Sequence, residues 1–237
     1  HRDLHLSIRR QRQMCIRDRG KDYWLERWEQ KETGFHQSDT NPYLCQHWKE
    51  LYLDQGDTVF VPLCGKSQDI LWLYAQNYKV LGIELSIIAV EDFFKENKLV
   101  PAYNCCKRFD RYETNRICIL RGDFFNLNRK DLIKVSAVYD RASLVALPKN
   151  IRDSYVRHLL EILSPGTQIL LITCEYSQLE MQGPPFSVSV SEVESLFGGH
   201  SSICLLARLD VIKQYPRFYE RGVSKLYENI FLLTLNK

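Results

Sequence analysis

No apolar run in this 237-residue chain approaches the roughly 20 residues needed to cross a bilayer. No membrane association is therefore expected, and the sequence reads as a soluble, cytoplasmic protein. Cys-x-x-Cys is absent, and no histidine stands at ligand spacing from a cysteine pair. Structural zinc is thereby excluded, and no metal is expected. Cys118 and Cys174 lie inside apolar runs, where cysteine packs as a small hydrophobe. The adjacent pair Cys105 and Cys106 is too little to argue redox chemistry. Internal repeats and low-complexity linkers are also missing, which points to one domain over residues 21–237.

Basic charge is missing from the body of the chain. The formal charge is +3, yet residues 1–20 carry six arginines against two aspartates. The remaining chain is therefore close to neutral and lacks the excess of lysine and arginine that a nucleic-acid-binding face requires. The leader has neither an apolar core nor a small-residue cleavage site, so it is not a secretory signal. Its stretch RQRQMCIRDR resembles a translated sequencing adaptor, and residues 1–20 read as non-native or disordered.

Two glycine motifs are missing as well. In Pro62-Leu63-Cys64-Gly65-Lys66-Ser67 the residue five before Gly65 is Phe60, so the P-loop pattern fails despite its Gly-Lys-Ser ending. Gly-x-Gly-x-x-Gly is absent too, and bulky Pro62, Leu63 and Cys64 occupy the turn where a pyrophosphate would approach. A phosphate-free ligand suits such a turn better.

What is present is an alternation of apolar runs and amphipathic stretches. Strands are expected at Thr58–Leu63, Lys79–Glu84, Arg116–Arg121, Ser136–Tyr139 and Gln168–Cys174, with helices near 67–77, 86–97 and 150–163. That pattern is an α/β fold with a mostly parallel, doubly wound sheet. Ala207–Lys213 and Leu226–Leu235 then read as a closing antiparallel pair with no helix between them. Ahead of the first strand, Trp24, Leu25 and Trp28 mark a short helix ended by Gly34, and Asn41-Pro42 opens a second through about Leu53. These form a helical cover.

The strand ends carry the chemistry. Glu84 stands nineteen residues after Gly65, the place from which an acid accepts ribose hydroxyls. Asp123 follows the third strand and can accept from an exocyclic amine, with Phe124 or Phe125 against a purine face. Asp140 and Arg141 end the fourth. Successive strand tips thus outline an adenosine site. A cationic sulfonium held by aromatic faces fits the cover segment, whose Trp24 and Phe35 supply a lid; one of Trp24 and Trp28 is expected to pack on the core. His36 beside Phe35 reads as a lid residue.

YWLERW, TGFHQSDTNPYL, VFVPLCGKSQDILWL, GIELS, GDFF, VYDRASLVALP, GPPFSV, EVESLF and LYENIFLLT together resemble the thiopurine S-methyltransferase family in its compact bacterial form, over about Lys21 to the end. The resemblance implies a Rossmann-like class I methyltransferase. It implies S-adenosylmethionine at Trp24, Leu63, Glu84, Asp123, Phe124 and Arg141, and a small thiol or chalcogen acceptor at Phe35, Arg141 and Arg217, with the match at Arg217 loose. Arg141 is the expected catalytic group, holding either the anionic acceptor or the methionine carboxylate. A monomer without nucleic-acid partners is expected. The two rival readings are a nicotinamide-dependent oxidoreductase and an inert nucleic-acid-binding module using the leader.

Overall fold

A computed structural model describes residues 20–236, so residues 1–19 of the expected 1–20 leader lie outside the described residues. Residue 20 already belongs to the first helix, α1, at 20–29. The other elements are α2 (Pro42–His47), β1 (Thr58–Val61), α3 (Asp69–Ala75), β2 (Lys79–Glu84), α4 (Ile87–Glu96), β3 (Ala102–Cys105), β4 (Asp110–Thr114), β5 (Ile117–Arg121), β6 (Val135–Arg141), α5 (Lys149–Ile162), β7 (Gln168–Glu175), α6 (Val190–Phe197), β8 (Ser201–Asp210), α7 (Pro216–Glu220) and β9 (Tyr227–Leu235). They form one sheet of nine strands in the order β3-β4-β5-β2-β1-β6-β7-β9-β8.

The five central strands, β5-β2-β1-β6-β7, run parallel. The two faces divide their side chains strictly. Val59, Val61, Ala137, Tyr139, Leu170 and Ile172 pack beneath α2, α3 and α4. Phe60, Val138, Ile169 and Leu171 pack beneath α5 and α6. Burial on both faces is why these strands read as unbroken apolar runs. Because β2 and β6 lie on opposite sides of β1, the crevice beyond the carboxyl ends of these strands is the natural ligand position. Among the described residues, no helix is long and apolar enough to cross a membrane.

Several expected boundaries shift. α1 stops at residue 29, well before Gly34, and Lys31 leaves it in a left-handed conformation (φ 56°). The second helix ends at His47 and continues only as a 3-10 turn, Trp48–Glu50. The expected Ala207–Lys213 strand is observed at Ser201–Asp210, and α7 fills the gap before β9. The hairpin β3–β4 was not expected at all. Every residue of β3 is exposed and every residue of β4 half-buried, so neither carries the apolar alternation by which strands are recognised.

Candidate functional site

β1 ends at Val61, and the chain turns through Leu63 (φ 43°) and Gly65 (φ 52°). A non-glycine residue in the left-handed region costs roughly 1–2 kcal/mol. Such strain persists where surrounding contacts over-determine it, commonly at ligand-binding turns. Here the contacts are a bond from Cys64 N–H to the Ile83 carbonyl (3.0 Å) and one from the Ser143 hydroxyl to the Pro62 carbonyl (2.7 Å). The turn is thereby tied to β2 on one side and to the chain beyond β6 on the other.

Glu84 closes the arrangement at the tip of β2. Its Oε2 accepts from Gly65 N–H at 2.8 Å and its Oε1 from Ser86 N–H at 2.8 Å. The side chain is buried, which pushes its pKa up, while these backbone donors pull it back. A carboxylate offers about four acceptor directions. With two taken by the protein, two remain for hydroxyl donors. A methyl group at position 65 would sit 3.3 Å from the Trp28 ring. Gly65→Ala is accordingly expected to cost about 1–2 kcal/mol of stability, chiefly from forcing alanine into the left-handed region, as urea unfolding would show.

The β5 tip corrects one expectation. Phe124 is only 2% exposed, its ring packed on Tyr155 (centroids 4.8 Å) and His158 (5.2 Å). That ring belongs to the core and is not available to a purine; Phe124 can offer backbone only. Phe125 is the half-buried member of the pair. Asp123 accepts from Phe125 N–H (3.0 Å) and pairs with Lys21 of α1 (2.9 Å), so α1 is moored over this strand end.

At the β6 tip Asp140 and Arg141 do not pair with each other. Adjacent strand residues point to opposite faces. Asp140, buried, accepts from the Tyr155 hydroxyl (2.6 Å) and Leu144 N–H (3.2 Å) on the α5 side. Arg141 points to the other face, where no carboxylate among the described residues pairs with it within ion-pair distance. Ala142, next in the chain, is again left-handed (φ 67°). Asp69 is the first residue of α3. It is buried and accepts from Asn41 N–H (2.7 Å) and the Tyr139 hydroxyl (3.0 Å), fixing the start of α2 to β6. Nothing in its local sequence separates it from an ordinary first-turn acid.

The cover lies across these tips. Trp24 and Trp28 both meet Phe35 edge-to-face, at 5.2 and 5.4 Å between centroids. Trp28 is buried and forms the core-facing member, while Trp24 is half-buried and Phe35 is 40% exposed. His36 has its pKa lowered by burial, then by the nearby Lys66 charge and, more weakly, that of Arg141. Arg217 donates to the Gly34 carbonyl at 3.1 Å. The structure shows it as a tether of the cover loop. The bond is exposed, so Arg217→Ala should change the unfolding free energy by under about 1 kcal/mol, measured by urea titration. A larger loss would mean that the tether organises more than this loop.

The residues present fit an adenosyl ligand with a cationic sulfonium: a strand-tip acid with spare acceptor capacity, a glycine-poor turn without a phosphate cradle, and aromatic faces overhead. A parallel sheet with an antiparallel last strand inserted between β7 and β8, and such a crevice at its carboxyl edge, defines a Rossmann-like class I methyltransferase. Solved structures agree on the fold. A S-adenosylmethionine-dependent methyltransferase from Anabaena variabilis superposes with a TM-score of 0.62 at 13% identity, covering 91% of this chain and 95% of that one. Phosphoethanolamine N-methyltransferase 2 of Haemonchus contortus, solved with S-adenosyl-L-methionine, gives 0.58 at 10% identity, covering 82% of this chain and 52% of that one.

The family model for thiopurine S-methyltransferase matches residues 19–236. Proteins named thiopurine S-methyltransferase from Nitrosospira multiformis and Pseudomonas aeruginosa are 56% and 45% identical, each across 90% of this chain and 97% of their own length. The chain belongs to the thiopurine S-methyltransferase family of S-adenosylmethionine-dependent enzymes. Neither the nicotinamide nor the nucleic-acid reading finds support among these relatives.

Proposed function

We propose that this chain methylates a small, soft nucleophile, an aromatic or heterocyclic thiol or a selenium or tellurium anion, at the crevice described above. One convergence supports the reading: the Leu63–Gly65 turn, Glu84, Arg141 and the Trp24–Phe35 cover meet at the carboxyl edge of the sheet in a member of this family. S-adenosylmethionine, when bound, supplies a methyl group on a cationic sulfur that leaves as a neutral thioether.

The chain's own residues then have separable tasks. Glu84 accepts the ribose hydroxyls with its two spare acceptor directions, and Leu63 lines the turn beside them. Asp123, already holding Lys21 and Phe125 N–H, is left with capacity for an exocyclic amine; Phe124 serves through its backbone. Trp24 and Phe35 present ring faces to a cation and exclude water. Arg141 holds the anionic acceptor or the donor's carboxylate through its fork of donors, and Arg217 keeps the cover loop down on the acceptor side. Positioning of this kind is worth about 7–11 kcal/mol of barrier, so no covalent intermediate is required.

The seven described cysteines are all free thiols, in keeping with a reducing cytoplasm. A monomer is expected, which sedimentation velocity checks. The test of function is calorimetric titration with S-adenosylhomocysteine, followed by mass detection of methylated thiol products. Micromolar one-to-one binding with product formation supports the assignment; folded protein that binds nothing removes it.

A further inference from the structure

Glu228 is a buried carboxylate that none of the tasks above uses, and the sheet register delivers it to the face that carries Arg141. Arg141 pairs with Ile172 of β7, Ile172 pairs with Ile230 of β9, and Glu228 pairs with Cys174. Cross-strand partners share a face, and so do residues two apart on a strand. Arg141, Cys174 and Glu228 therefore project from the same face of the sheet. Arg141 acts electrostatically on Glu228 without pairing with it.

The surroundings of Glu228 are built rather than incidental. Its Oε1 accepts from the Tyr215 hydroxyl at 3.0 Å. Tyr215 is wedged by Phe218 (centroids 6.0 Å), and Gln37 of the cover loop, next to Phe35 and His36, lies near enough to pull its pKa down. Tyr43 of α2 lies close to the same carboxylate, and its other oxygen, Oε2, is buried with no hydrogen-bond partner among the described residues. Burial, reinforced by the Glu228 charge, pushes both phenols up to about 12. They can donate protons in hydrogen bonds but cannot serve as bases near neutrality.

We propose that Glu228 Oε2 takes the proton of a neutral acceptor thiol while Arg141 holds the negative charge that develops on its sulfur. The proposal rests on the methyl-transfer reading above. In the step, the acceptor S–H bond breaks and its proton goes to Oε2. The electron pair left on sulfur forms the new S–CH3 bond, while the donor's S–CH3 bond breaks with its pair kept by the donor sulfur. The protonated carboxyl is returned to ionised form by water after product leaves. Burial raises the Glu228 pKa, against the pull of Tyr215, Tyr43 and Arg141, which suits a base. The titratable and charged groups facing it are Tyr43 from α2, Tyr215 ahead of α7, Arg141 from β6 and Cys174 from β7.

The test is Glu228→Gln, which keeps an oxygen for Tyr215 and is nearly isosteric. Two acceptors are compared at pH 7: a simple alkyl thiol, protonated at that pH, and a nitro-substituted benzenethiol, already ionised. The expected result is a loss of about 10²-fold in kcat on the alkyl thiol with the benzenethiol rate nearly unchanged. The variant's alkyl-thiol rate should also climb about tenfold per pH unit as the free thiolate fraction grows, a dependence that a structural role does not produce. Equal losses on both acceptors, or no loss on either, would overturn the proposal. S-adenosylhomocysteine affinity by calorimetry should match between the two proteins. Failure of the unmodified chain to bind it would remove the methyltransferase reading itself rather than the role of Glu228. Thermal unfolding guards the comparison. Because the folded-state pKa of Glu228 is raised above 4.5, the native chain loses stability relative to the variant as pH rises through that value, and the variant should melt no lower than the native chain at pH 8.

Discussion

Glu84→Ala should weaken S-adenosylhomocysteine binding by about 1.5–3 kcal/mol, the range for hydrogen bonds to a charged group, or roughly 10- to 150-fold in a calorimetric titration. The structure adds a second consequence. Glu84 also receives the N–H groups of Gly65 and Ser86, and removing it leaves both without their acceptor. Each buried donor so stranded costs about 1–3 kcal/mol, partly offset because a buried carboxylate with a raised pKa no longer has to be desolvated. Lower urea stability with weaker binding is therefore expected together. Glu84→Gln separates them, since its amide oxygen can still accept from one backbone donor while the charge is lost. Unchanged affinity in the alanine variant would take Glu84 out of the ligand site and leave it a purely structural clasp.

Arg141→Lys should divide the effects the other way. The guanidinium has no carboxylate partner among the described residues, so little folded-state stability depends on it. A lysine keeps the charge but loses the planar fork that can hold two acceptor atoms at once. Turnover should fall by about 10²-fold, the scale seen when one oriented donor to developing charge is removed, with the unfolding midpoint scarcely moved. Normal kinetics would mean that the β6 tip contributes charge alone. A large loss of stability would mean that Arg141 braces the sheet against α2 and the cover.

Some of the site was legible in the sequence because it depends on short spacings. A turn after an apolar run, an acid at the next strand end and an arginine two strands on are each properties of one segment. Parallel packing guarantees that the tips of β1, β2 and β6 point the same way. The aromatic cover was equally visible, down to the expectation that one tryptophan would face the core, which Trp28 does. The β3–β4 hairpin escaped because an exposed edge hairpin has no buried face to impose a pattern. Phe124 and Phe125 were indistinguishable as neighbours. Only the 3-10 turn at Phe124–Asn126 decides which ring enters the core.

The sequence by itself determined the architecture and the crevice at the carboxyl edge of its parallel strands. Apolar periodicity dictates which segments are buried on both faces, and right-handed βα units then leave one crevice. Tertiary structure alone decided the rest. Asp140 and Arg141, adjacent in the chain, serve opposite faces because a strand alternates its side chains. Asp69 becomes a buried clasp because α2 docks onto it. Glu228 meets the face of Arg141 because the last strand inserts antiparallel between β7 and β8. Contacts of that kind arise from packing between distant segments, and no local pattern encodes them.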